Sequence, residues 1–456
     1  MDRLRSVFGH DAPEQQYQPL QGDPELLDQD APPRGDDVRF AWPDYAVFLL
    51  LGVAMLWAWY NDENMFLAAA PYFDHRFDSS PPLRRNFQPA ILSVSTVGNL
   101  GSMIVLTKLQ ARANYPKRIA FSLALDAVIF SLLALSTKLF VSVPVGLYFA
   151  FLMLMVLSAS LATALCQNGV FAFVAGFGRE EYTQGIMAGQ GIAGVLPALT
   201  QIVSVLSVPQ SMKQPDSVPA ESGTSACAYF LTATAVSALA MVAFFRLLSR
   251  PSTKHRLQRT VLEDTADMAD SVQSLRRDIP LTRLFRKLFW LATAVFITFA
   301  VTMFFPVFTS KIYSIRDPAT APRLFQPSAF IPLGFFFWNL GDLVGRTCPA
   351  LPALRLTHRP RLLCFLAVAR LAFLPTYFLC NIGGTGASVR SDLFYLIIVQ
   401  LSFGLSNGYL GSSCMMGFAE YVEAEELEAA GSFMSLSLVG GLATGSFLSF
   451  AAAQAI

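Results

Sequence analysis

Two ionisable residues stand four apart inside an apolar run: Asp342 and Arg346, in Phe335-Phe336-Phe337-Trp338-Asn339-Leu340-Gly341-Asp342-Leu343-Val344-Gly345-Arg346. That spacing puts both on one face of a helix, where they can pair. Charged side chains inside a membrane span are expensive, which makes the pair a functional candidate. Two readings are open. Arg346 could be a charge at the membrane edge, with Asp342 merely its partner. Alternatively the carboxylate faces a water-filled cavity and accepts hydrogen bonds from a substrate, while Arg346 preserves its charge.

Other polar groups fall within apolar runs. Gln167 and Asn168 lie together in one, and Asn407 lies in Gly404-Leu405-Ser406-Asn407-Gly408-Tyr409. Amides suit a neutral polar ligand because each offers a donor and an acceptor; they serve equally as interhelical hydrogen bonds. Asp126 and Arg370 are single buried charges, each either a gating element or structural, with the structural reading favoured for Arg370. Gly185 and Gly189 form a small-xxx-small pair, as do Gly441 and Gly445; these let helices approach closely and, in a moving protein, slide.

Several chemistries are missing. The four histidines lie outside the apolar runs, which removes a histidine proton relay or a metal site within the membrane. The six cysteines are scattered singly, without metal-ligand spacing, and read as small packing residues. No phosphate-binding loop or nucleophile elbow accompanies the spans, so neither ATP-driven pumping nor an enzyme is expected, and no cofactor. A formal net charge of +1 gives no reason to expect nucleic acid as a partner.

The elements that must position these residues follow from composition. The chain is 54% hydrophobic and 14% charged, against roughly 25% charged in a soluble domain. Apolar segments recur over 45–70, 87–109, 119–139, 147–173, 183–208, 226–248, 284–308, 329–343, 362–380, 393–418 and 429–453. Each is long enough, or nearly so, to cross about 30 Å of hydrocarbon as a helix, and lipid excludes open strands. The expectation is an all-α integral membrane protein with eleven transmembrane helices. Residues 1–44 read as a disordered cytoplasmic tail, 45–249 as a six-helix bundle, 250–283 as a charged cytoplasmic loop and 284–456 as a five-helix bundle. With the N-terminus in the cytosol, 23 of the 33 basic residues fall on the inner side, as the positive-inside rule requires.

Three stretches resemble the equilibrative nucleoside transporter family along nearly the whole chain. Tyr182-Thr183-Gln184-Gly185-Ile186-Met187-Ala188-Gly189-Gln190-Gly191 is similar to the family's fifth-span motif, Trp338 to Arg346 to its eighth-span Asp-x-x-x-Arg, and Ser406-Asn407-Gly408-Tyr409-Leu410 to its tenth-span motif. The resemblance implies a major-facilitator-like fold in a 6+5 arrangement and alternating-access transport of nucleosides, with nucleobases as an extension. It assigns Asp342 and Arg346 to the ribose, Gln167 to the base, and Trp59 and Asn64 to the first-span Trp-Asn pair. The family places that Asn directly after the Trp. Here Trp57-Ala58-Trp59-Tyr60-Asn61-Asp62-Glu63-Asn64 interposes four residues, two of them acidic, so Asn61 or Asn64 could take the position. The Trp-Ala-Trp variant and Ala68-Ala69-Ala70-Pro71-Tyr72-Phe73 are similar to fungal members, which points to the vacuole or another endomembrane. Rival readings are a same-fold transporter of another solute, such as an organic cation, and proton-coupled nucleoside transport. A membrane receptor or scaffold is the rival from another class, and eleven spans with a buried Asp/Arg pair count against it.

Overall fold

The computed structural model describes residues 40–60, 72–73, 76–110, 113–140, 143–207, 223–251, 253, 279–317 and 320–455. The helices run in order α1 Trp42–Tyr60, α2 Pro81–Lys108, α3 Tyr115–Leu139, α4 Val145–Ala175, α5 Glu180–Ser207 and α6 Gly223–Leu248. Then come α7 Leu281–Thr302, prolonged after Met303 by Phe304–Thr309, and α8 Pro327–Thr347. The ninth, α9, is Pro360–Ala369 continued by Phe373–Tyr377. In α10 a π-helical stretch Phe394–Leu401 runs into Ser402–Gly417, and α11 is Leu427–Ala455. Among the described residues ten helices are long and apolar enough to cross a membrane, and α1 contributes a shorter apolar one, Trp42–Trp57. The fold is the expected all-α membrane architecture of eleven helices.

Local sequence explains several starts and breaks. Prolines occupy the first turns of α2, α3 and α8, where the missing N–H has no helical partner to lose. The Asn114 side chain caps α3 by accepting from the Lys117 N–H at 3.1 Å. Between α4 and α5 the chain reverses within a few residues at Gly178, whose φ of +65° suits a residue without a Cβ. The extension of α7 contains Pro306, which lacks the N–H that an unbroken helix would use there.

Six helices precede the 250–283 stretch and five follow it, and these are the first and second halves of the chain. In the first half α1 lies on α5, α3 on α6 and α2 on α4; in the second α7 lies on α11 and α9, and α8 on α10. The halves meet where α5 packs on α8 and where α2 and α4 pack on α11. Within α2 the buried residues recur every fourth position, Phe87, Ile91, Ser95, Asn99, Met103 and Thr107, one face of a helix. Large apolar side chains such as Phe121, Leu157, Leu239 and Phe365 point outward. In water that surface would be a liability; against lipid tails it is the proper exterior. On the side where α7 ends, Tyr313 N–H donates to the Asn381 carbonyl at 3.1 Å and Gly383 N–H to Lys311 at 2.7 Å, joining the α7–α8 and α9–α10 loops.

Candidate functional site

The approach of α10 to α8 builds the site. A Cβ added at Gly404 would fall 1.9 Å from the Trp338 carbonyl oxygen, and one at Gly408 would fall 1.9 Å from that of Asp342. From the other side, Gly341 and Gly345 would meet the Leu401 and Leu405 carbonyls at 2.2 and 2.1 Å. Only glycine permits backbones this close, and four-residue spacing on both helices keeps the contact continuous over a turn. Asp342 follows one of these glycines and Asn407 precedes another. The seam therefore brings them face to face: Asn407 Nδ2 donates to Asp342 Oδ1 at 2.7 Å.

From that contact a chain of hydrogen bonds runs both ways. Arg346 Nε donates to Asp342 Oδ2 at 2.7 Å, and its Nη1 reaches across to α5, donating to Gln190 Oε1 at 2.7 Å and to the Met187 carbonyl at 3.3 Å. In the other direction the Thr302 hydroxyl lies 2.6 Å from Asn407 Oδ1, and Arg370 Nη2 donates to Thr302 at 3.2 Å. Every member is buried. Arg346 is 4% exposed, so its guanidinium is enclosed by protein. A buried ion pair is tolerable when further hydrogen bonds support both partners, as Asn407 supports Asp342 and Gln190 supports Arg346 here.

This chain walls one side of a cavity of about 210 Å³ between the two halves. Met55 of α1, Gln167 of α4 and Gln190 of α5 line it from the first half; Phe299 of α7, Trp338 of α8 and Leu442 of α11 line it from the second. Gln167 is buried and makes no hydrogen bond among the described residues, so its amide is available to a ligand. The Trp338 indole stacks on Phe305 with centroids 4.1 Å apart, and its Nε1–H has no partner among the described residues. The site thus offers a carboxylate, a guanidinium, a free amide and aromatic faces, a set that suits a small uncharged polar molecule with ring character.

The structure brings Asp342, Arg346, Asn407 and Gln167 together around this cavity. Arg370 does not line it. Its guanidinium bonds to the Thr298 carbonyl and the Ser406 and Thr302 hydroxyls, lies 4.8 Å from the Phe403 ring centroid, and forms no ion pair among the described residues. It supports the chain from behind. Asp126 is buried and does not line the cavity, and its Oδ1 has no partner among the described residues. Gly185 and Gly189 face α1 and not the cavity: a Cβ at Gly189 would sit 2.0 Å from the Leu49 carbonyl oxygen, and one at Gly185 3.1 Å from the Tyr45 ring. Trp59 stands on the last turn of α1, while Asn61 and Asn64 lie outside the described residues. Sequence reading passed over Gln190, Thr302 and Trp338. Gln190 and Trp338 sit inside quoted motifs; Thr302, an ordinary span hydroxyl, carries nothing that would single it out.

A model of the nucleoside transporter family matches residues 152–453. The chain is 30% identical over 443 residues to the nucleoside transporter FUN26 of Saccharomyces cerevisiae, covering 89% of this chain and 83% of that one. To equilibrative nucleoside transporter 1 of Homo sapiens it is 27% identical over 462 residues, covering 89% and 96%. Among solved structures it is similar to the Major Facilitator Superfamily transporter FucP in the outward conformation (TM-score 0.52, 15% identity, 90% and 97% covered). It is also similar to the proton:xylose symporter XylE (TM-score 0.55, 12% identity, 89% and 88% covered). These two share its fold, a multi-pass membrane architecture of the major-facilitator kind. With a family model covering well over half its length and full-length relatives on either side, the chain belongs to the nucleoside transporter family.

Proposed function

We propose that this protein is a facilitative nucleoside transporter working by alternating access. The cavity between the halves, with Asp342 on its wall, carries the reading. Each carboxylate oxygen of Asp342 already accepts one bond, Oδ1 from Asn407 and Oδ2 from Arg346, and each retains a further acceptor position. Two adjacent hydroxyls, as on a ribose, are the donor pattern that fills such a pair. Gln167, with both amide functions free, takes the base, and Phe299, Phe305 and Trp338 supply apolar and aromatic surface around it. An organic cation fits less well, because Arg346 already neutralises the carboxylate that would attract it.

Residues 45–249 and 284–456 are the two bodies that rock about this site, with 1–44 and 250–283 cytosolic. Arg346 spans their boundary through Gln190 and Met187, so a ligand that pulls on Asp342 also acts on the contact between halves. The fungal-like residues near the end of the first span support a vacuolar or other endomembrane location. The test is uptake of radiolabelled adenosine and uridine into proteoliposomes, with and without a pH gradient. The expected result is saturable uptake that stops at equal concentrations and ignores the gradient. Accumulation driven by the gradient would replace this reading with proton coupling, and absence of uptake for both ligands would overturn it.

A further inference from the structure

A second, smaller pocket of about 20 Å³ lies between α2 and α11. Ser95 and Asn99 line it from α2, Ser446 and Leu442 from α11, and Met303 from the break in α7; the last three also line the main cavity, so the two spaces adjoin. Asn99 is 5% exposed, and its carboxamide oxygen is buried without a hydrogen-bond partner. The Ser95 and Ser446 side chains are likewise buried and make no hydrogen bond of their own among the described residues. Buried polar groups are normally paired, so three unpaired ones around one small space mark a place for a polar guest.

Size and position identify the guest. About 10–15 Å³ of such space holds one water, so the pocket admits a single non-hydrogen polar atom. Its walls are α2, α11 and the break in α7, whereas Asp342 stands on α8, which packs on α5 and α10. Gln167 stands on α4, among the helices of the pocket's side. A ribose held by Asp342 therefore directs its base toward α2 and α11.

We propose that the Asn99–Ser446 pocket is a subsite for the exocyclic amino or keto group of the nucleobase. This rests on the nucleoside-transport reading above. The Asn99 amide can accept from an amino group or, turned over, donate to a keto group. The subsite therefore reads whether a substituent is present and not which of the two it is.

The experiment compares adenosine with purine riboside, which lacks the 6-amino group, as competitors of labelled uridine in proteoliposomes carrying wild type, Asn99→Leu or Ser446→Ala. Wild type should favour adenosine about tenfold, the effect of one buried hydrogen bond. In Asn99→Leu the preference should fall to about onefold, with purine riboside competing as well as before. Ser446→Ala should show a partial fall, and it carries the test if Asn99→Leu does not assemble. Equal competition by the two ligands in wild type overturns the proposal and marks the pocket as a water site. So does a preference that survives both substitutions. Failure of wild type to take up uridine at all strikes instead at the transport reading.

Discussion

In the six-helix half, α1 and α5 meet backbone to backbone at Gly52 and Gly189, where added Cβ atoms would fall 2.1 and 2.0 Å from the Ile186 and Leu49 carbonyl oxygens. In the five-helix half, α8 and α10 meet at Gly341, Gly345, Gly404 and Gly408 with the same closeness. The contact is alike; what it presents is not. Across the α8–α10 seam two polar side chains, Asp342 and Asn407, face each other and wall the cavity. Across the α1–α5 seam the polar contact is Tyr45 Oη donating to Gln184 Oε1 at 2.7 Å, away from the cavity, while Gln190, next to Gly189, turns toward α8 and accepts from Arg346. Glycine spacing sets how near two helices come. The residue beside each glycine decides whether the nearness makes a site or a strut.

The comparison is broken most directly by filling each seam. Gly408→Ala and Gly189→Ala introduce comparable overlaps, so each should destabilise the protein by roughly 1–3 kcal/mol or more, read as a fall in the melting temperature of the purified protein. Their ligand binding should separate. Gly408→Ala moves Asn407 off Asp342 and should abolish nucleoside binding by the folded fraction, whereas Gly189→Ala should leave it within about threefold, less than one hydrogen bond is worth. Equal losses of binding would mean that both seams belong to one site.

A smaller effect sharpens what the α8–α10 seam presents. Against wild type, a 2′,3′-dideoxynucleoside should compete roughly tenfold or more worse than its parent, since its ribose can no longer donate to Asp342. Against Asp342→Asn that gap should narrow. A gap that persists while both ligands weaken together would turn the Asp342–Arg346 pair into a structural element and send the ribose elsewhere.

The smallest effect belongs to the rim. Arg355, in the α8–α9 loop, pairs with Glu180 at the start of α5, and the two side chains are 30% and 26% exposed. Partly exposed pairs contribute about 0–1 kcal/mol. Arg355→Ala should therefore change uptake by less than about fivefold, with the melting temperature nearly unmoved. A tenfold change in uptake would make the rim pair a working gate, comparable to Arg346–Gln190.

Much of the fold was legible because lipid imposes a simple rule on length and polarity, and eleven apolar runs obey it. The core of the site was legible for the same reason. Asp342, Arg346, Gln167 and Asn407 stand out because polar groups in such runs need a cause. What could not be read was anything that depends on which helix faces which. Gln190 meets Arg346, and Thr302 links Arg370 to Asn407, only once α5 lies on α8 and α7 on α9. Asn99 and Ser95 looked like ordinary span residues until α11 closed over them. The sequence also marks Trp57 to Asn64 as unusual, and residues 61–64 of that stretch lie outside the described residues.

The buried chain from Arg370 to Gln190 contains two guanidiniums and one carboxylate, and one of the guanidiniums, Arg346, reaches from α8 to Gln190 of α5. A membrane potential of 100 mV acts with about 2.3 kcal/mol on each elementary charge carried fully across it. An uncharged cargo feels nothing of this. The carrier does, to the extent that its rocking shifts Arg370 and Arg346 through the field. To that extent the voltage of the surrounding membrane would bias which side the empty carrier faces, although each completed cycle moves no net charge.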